Sequence, residues 1–142
     1  MSTPTIDAAR EWLATADTDA DHAYRWWAAH RDGIAILPLG RAFDAVEVPA
    51  ALEHQILDDP AIDGPIIKDD GIGILFVLVP PHTDMTWDAS VALCRGDLHY
   101  LPIPDPERRG PLGVHWLRPP DGSGRLTNPA RLAAVLAELV SR

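Results

Sequence analysis

The residues of this chain best suited to chemistry are two carboxylates, Asp44 and Glu47, in the stretch "GRAFDAVEVPAAL". Paired acids at the end of a strand are a common way to hold a divalent cation, because hard cations prefer oxygen ligands. The spacing argues against a pair here. Side chains alternate along a strand, so positions three apart point to opposite faces. The same-face neighbours of Glu47 are Ala45 and Pro49, and neither side chain has a ligand atom. This reading makes Asp44 a turn residue and Glu47 a single acid at a strand end.

Other reactive side chains are scattered. His99 and His115 fall in consecutive predicted strands and are expected to face each other across a hairpin, beside Tyr100 and Trp116. Zinc needs three or four ligands, and Cys94 is the only cysteine, so polar packing between strands is the preferred role. Cys94 itself reads as a small buried residue. His22, His30 and His54 lie on predicted helices and are expected at the surface; His82 is expected in a loop. "DGSGRL" is glycine-rich but lacks the Lys-Ser/Thr ending of a phosphate-binding loop. Arg95, Arg108, Arg109, Arg118 and Arg125 gather in the second half among Asp97, Asp105, Glu107 and Asp121. Solvated ion pairs are the simple expectation, and a phosphate or nucleotide pocket near Arg95, His99, His115 and Arg118 is the functional one. Trp26 and Trp27 are adjacent in a predicted helix, so one is expected in the core and the other at its edge, where it offers a partner surface.

The elements that must position these residues are read from periodicity and punctuation. Helical spacing marks "TIDAAREWLATA", with Thr5 as N-cap, and "DADHAYRWWAAHRDG", with His30 and Arg31 in its last turn and Gly33 as its stop. "IAILP" and "DAVEV" read as strands, and Pro49 as the opening of the helix "PAALEHQILDD". "GPIIKDDGIGILFVLVPP" reads as a hairpin whose second strand is central. "LHYLPIP" and "GVHWLRPP" are two further strands. Asn128 caps a final helix that begins at Pro129. The expected order is αα-ββα-ββ-ββ-α, a single α+β domain of 142 residues with a mixed or largely antiparallel sheet.

Composition narrows the function. At 46% hydrophobic and 23% charged residues the chain is expected to be globular. No apolar run reaches membrane-spanning length and no secretory signal is visible, so a cytoplasmic protein is expected. The net charge is −9, and residues 1–70 carry all of it while residues 71–142 balance to 0. Nucleic-acid binding is disfavoured by that balance, because neutralising phosphates needs a basic patch.

The order of these pieces resembles the N-terminal domain of bifunctional DNA primase–polymerases of the archaeo-eukaryotic primase type. "GIAILPLGRAFDAVEVPA" is similar to that family's first strand and the strand bearing its metal motif. "DDGIGILFVLVPP" resembles its glycine-rich turn and the strand after it, and "GDLHYLPIPDPERRGPLGVHWLRPP" its later strand pair. The likeness spans roughly residues 5–120, in order and spacing more than identity. Small stand-alone members of that group close with a loop similar to "WLRPPDGSGRLTNP" and a final helix similar to the one predicted from Pro129. The resemblance implies that two acids hold a divalent metal for attack on a nucleotide α-phosphate and that a histidine contacts the triphosphate. In this sequence the first acid falls on Glu47, the second on Pro49, and no histidine lies near Gly73 or Ile74. Two-metal catalysis then has no scaffold. The expectation is a domain without catalytic residues or cofactor, in which Glu47 is the remnant of a metal site and the role is binding or regulation, with a protein partner favoured. Two alternatives stand beside it. One is an active magnesium- or manganese-dependent nucleotidyltransferase using Glu47 with Asp69 or Asp70. The other is a nucleotide or small-ligand binder using the old pocket near Arg95 and Arg118.

Overall fold

An apolar run flanked by turn residues must find cover on both faces, and "ILFVLV" finds it at the centre of a sheet. A computed structural model describes residues 4–29, 33–90 and 92–141. In chain order the elements are α1 (Pro4–Ala14), α2 (Ala20–Ala29), β1 (Ile34–Pro38), β2 (Asp44–Pro49), α3 (Glu53–Asp58), β3 (Ile66–Asp69), β4 (Ile74–Val79), β5 (Leu93–Arg95), β6 (Tyr100–Pro104), β7 (Val114–Arg118) and α4 (Pro129–Val140). Five strands form one sheet in the order β5-β2-β4-β3-β7, and β1 and β6 form a separate two-stranded ribbon. All pairings are antiparallel, and the architecture is the mixed α+β type expected.

Strand parity divides the core in two. Ala45, Ile67, Phe76, Leu78 and Trp116 face a layer made by α1, α2 and the inner side of the ribbon, including Leu13, Trp27, Leu37 and Ile103. Val46, Val48, Ile66, Leu75 and Val77 face Ile56 of α3 and Leu132 and Leu136 of α4. Each large side chain sealed this way contributes ~1.5–3 kcal/mol of transfer free energy. Leu132 and Leu136 are four apart and share one helical face. The start of α4 is set by Asn128, whose Oδ1 accepts the Arg131 N–H at 3.1 Å, with Pro129 at the first position.

Several boundaries differ from expectation. Thr5 lies inside α1 and does not cap it. Pro49 ends β2 and precedes a single 3-10 turn, Ala50–Leu52, before α3. β5 has no counterpart in the expected order, since three residues ending at a glycine give no alternation to read. It forms one edge of the sheet. His30 and Arg31 lie outside the described residues, and Gly33 has the left-handed φ of 66° that suits a stop residue. β6 and β7 do not form a hairpin: β6 pairs with β1 and β7 with β3. The connection "DPERRGPLG" between them is an irregular excursion, held by Arg108 Nε donating to the Val114 carbonyl at 2.7 Å. No helix among the described residues is long and apolar enough to cross a membrane.

Candidate functional site

Glu47 faces the same side of β2 as Ala45, between Phe76 on β4 and Leu93 on β5. β5 brings Arg95 diagonally beside it, and Arg95 Nε donates to Glu47 Oε2 at 2.5 Å. A cation at Glu47 would have to displace this guanidinium. Asp69 shares the face of Glu47 but is two strands and two residues away, a separation of about 12 Å from strand spacing and rise. Asp70 is exposed in the turn after β3. Neither acid converges on Glu47, and no group of three or more His, Cys, Asp or Glu among the described residues is placed to hold a metal ion.

The pocket expected among the arginines and histidines does not assemble. Arg95 and Arg118 lie on β5 and β7, the opposite edges of the sheet, about 19 Å apart across four strand spacings. Arg118 Nη1 donates to the carbonyls of Ile62 (2.5 Å) and Gly64 (3.2 Å) and so fixes the loop before β3. His99 is exposed, with its ring against the Asp97 carbonyl. His115 is buried, with Nδ1 3.0 Å from the Gly113 carbonyl, and faces β3 and not His99. The expected ion pairs with neighbouring acids are also replaced. Arg108 and Arg109 donate to the carbonyls of Val114 and Leu117, and Arg125 pairs with Asp63. Backbone carbonyls freed at strand ends are the stronger demand, since each buried one needs a donor.

The tryptophan pair divides as the helix geometry requires. Trp27 is core, and its indole N–H donates to the Ile103 carbonyl at 3.0 Å. Trp26 is half-buried and donates to His22 Nε2. An indole nitrogen can only donate, so His22 carries its proton on Nδ1 and gives it to Asp17 Oδ2, 2.5 Å away. His22 is therefore a bridging residue and not the surface histidine expected. The hydrogen bond from His22 holds the Asp17 carboxyl below its ordinary value, helped by the Asp19 N–H. Beside this bridge is a hollow of about 410 Å³ lined by Asp17, His22, Pro38, Arg41, Asp97 and Tyr100.

That hollow opens at one end of the ribbon. Alternation puts Ala35, Leu37, Leu101 and Ile103 inward, where all are buried. The outward set is Ile34, Ile36 and Pro38 on β1, opposite Pro104, Pro102 and Tyr100 on β6. A ribbon with one solvated face normally carries polar side chains there; this one carries none besides the tyrosine hydroxyl. Ile36 is 38% and Tyr100 65% exposed, and Leu98 in the preceding turn is 92% exposed.

The second acid of β2 has a different setting from the one its sequence suggested. Asp44 is the first residue of β2, not a turn residue, and is 0% exposed. It shares the face of Val46 and Val48. Its partner is Asp84, forty residues later, in the 3-10 turn Thr83–Met85. The Asp84 N–H donates to Asp44 Oδ2 at 3.1 Å, while Asp44 Oδ1 is buried with no hydrogen-bond partner. The Asp84 carboxyl lies against the backbone of Gly96, so closely that a Cβ there would sit 2.5–2.7 Å from its carboxyl atoms. Burial drives the Asp44 carboxyl above its ordinary value, and the Asp84 charge adds to the rise against the pull of the turn's backbone N–H groups. Cys94, half-buried on β5, has its thiol pushed up to about 12 by burial and by both carboxylates. It is a poor nucleophile, as befits a packing residue. The signal for Asp44 was present in the i, i+2, i+4 series with Val46 and Val48; nothing local pointed to Asp84.

Compared with protein-family models, with curated proteins and with solved structures, the chain matches none.

Proposed function

We propose that this chain is a non-catalytic, primase–polymerase-like protein-binding module, and that the outer face of the β1–β6 ribbon is its contact surface. The observation that carries this reading is the apolar outer face of the ribbon, exposed at Ile36 and Tyr100, the kind of patch that marks an interaction site. The partner is a basic segment with an apolar or aromatic anchor. The anchor suits Ile36, Pro38 and Tyr100. Its basic residues suit the adjoining hollow, where Asp17 and Asp97 stand against a single arginine, Arg41. Opposite charge at the rim steers encounter and suppresses wrong partners. Loss of nucleotidyl transfer is supported by the Arg95 guanidinium on Glu47 and by Pro49 at the next same-face position.

Selection of binders from a random peptide-display library tests the surface. The expected winners are rich in Arg and Lys around one large apolar residue, and Ile36→Asp and Tyr100→Asp abolish their binding while leaving thermal unfolding unchanged. Acidic winners, or winners indifferent to both substitutions, would overturn the assignment. Primer synthesis with magnesium or manganese is the check on catalysis. Extension that disappears in Glu47→Ala would restore the enzymatic alternative.

A further inference from the structure

We propose that Asp44 keeps a proton in the folded chain and, hydrogen-bonded to Asp84, acts as a pH-sensitive latch that fastens the turn at 83–85 and the neighbouring β5 to the start of β2. The geometry leaves an ionised Asp44 badly served. Oδ2 receives the Asp84 N–H, but Oδ1 is sealed from solvent and has no donor. A bare buried carboxylate oxygen is among the costlier defects a fold can carry. A proton on Oδ1 turns the orphan acceptor into a donor, and the adjacent Asp84 carboxylate is the acceptor it meets. Burial and the neighbouring Asp84 charge both favour the protonated form of the Asp44 carboxyl.

The surroundings keep the proton in place. The groups facing the pair are the Cys94 thiol from β5, the backbone N–H groups of His82 and Asp84 from the turn, Val79 opposite Asp44 on β4, and the Gly96 backbone beneath Asp84. Arg95 is one residue from Gly96 but points to the other face, where it is engaged by Glu47. Asp97 beyond it is exposed. The cation nearest in sequence therefore serves the wrong side of the sheet, and the neutral thiol gives the second charge no relief.

Deprotonation puts two negative charges against each other across the contact that joins the turn to β2. The turn then separates from the sheet and uncovers Cys94. In infrared spectra of the intact chain just above the ordinary aspartate value, a protonated carboxylic-acid carbonyl band is expected, and Asp44→Asn removes it. The urea midpoint of the native chain falls as pH climbs from the ordinary aspartate value through the raised one, whereas that of Asp44→Asn stays level, because the amide donates to Asp84 without a titratable proton. Alkylation of Cys94, corrected for thiol ionisation, accelerates over the same range in the native chain and not in the variant. If Asp44→Asn does not fold, Asp84→Asn is read in the same three ways. Absence of the acid band together with parallel pH profiles overturns the proposal. So does a midpoint raised by calcium or magnesium in the native chain and not in Asp44→Asn, which would put a cation in the place of the proton.

Discussion

Asp44 and Glu47 stand three residues apart on one strand and live in opposite conditions. Asp44 faces the α3–α4 core, fully buried, with a second acid as its nearest charged group. Glu47 faces the other side, partly open, with a guanidinium on its carboxylate. Nothing in the two side chains accounts for the difference. Strand parity assigns the faces, and the third partner, β5, assigns the charges: Arg95 projects to one side and Cys94 to the other. The same three-residue strand supplies a counter-ion to one acid and a neutral thiol to its neighbour. Acids with equal sequence credentials thus end in opposite surroundings by position alone.

The harshest way to break the contrast is at the glycine beneath Asp84. Gly96→Ala places a methyl group 2.5–2.7 Å from the Asp84 carboxyl atoms. The turn must move off β2, and overpacking of this kind costs about 1–3 kcal/mol. Urea unfolding measures it. The stabilisation expected from Asp44→Asn should then be smaller in the Gly96→Ala background than in the native one, because both changes act on one contact.

The next largest effects come from removing one charge at a time with little change in shape. Asp44→Asn should stabilise the chain above neutral pH by on the order of 1 kcal/mol, since it replaces a buried charge clash with a permanent donor. Glu47→Gln should destabilise by less than about 1 kcal/mol, the usual worth of a partly solvated ion pair, and by less still in high salt. Opposite signs from two acid-to-amide changes on one strand are the outcome that sustains the comparison. Equal signs would mean that the two surroundings do not act oppositely on the two charges.

What could be read in the sequence divides along similar lines. α1, α2, α4 and the β3–β4 hairpin are legible because each satisfies its own periodicity, and α4 and the hairpin also carry their own cap and turn. The separation of Asp44 from Glu47 is legible because parity is local. The β1–β6 pairing and β5 are not, since a strand's partner is chosen by tertiary packing and three residues carry no period. The sites suffer most. Asp84 is forty residues from Asp44, and Arg95 forty-eight from Glu47, so neither pair leaves a local pattern. His22 reads as a surface residue because its helix position alone does not reveal Trp26 one turn on and Asp17 just before the helix as simultaneous partners. The arginines match acids near in sequence, whereas backbone carbonyls claim three of them.

The smallest expected effect sharpens the comparison with a third acid. Asp17 is held below its ordinary value by the hydrogen bond from His22, where Asp44 is held above its own by burial. The two must act on stability with opposite pH windows. A carboxyl lowered by folding contributes above the ordinary aspartate value, and the contribution is lost as pH falls from there through the lowered one. A carboxyl raised by folding contributes most below the ordinary value, and the contribution fades as pH climbs from there through the raised one. The windows lie on opposite sides of the ordinary aspartate value and do not overlap. Asp17→Asn should therefore flatten the acid limb of the stability profile and leave the rest unchanged, by less than about 1 kcal/mol because the pair is partly solvated. Asp44→Asn should flatten the other side only. A profile in which both variants flatten the same limb would show that the neighbours, and not the faces of the fold, fail to set these acids apart.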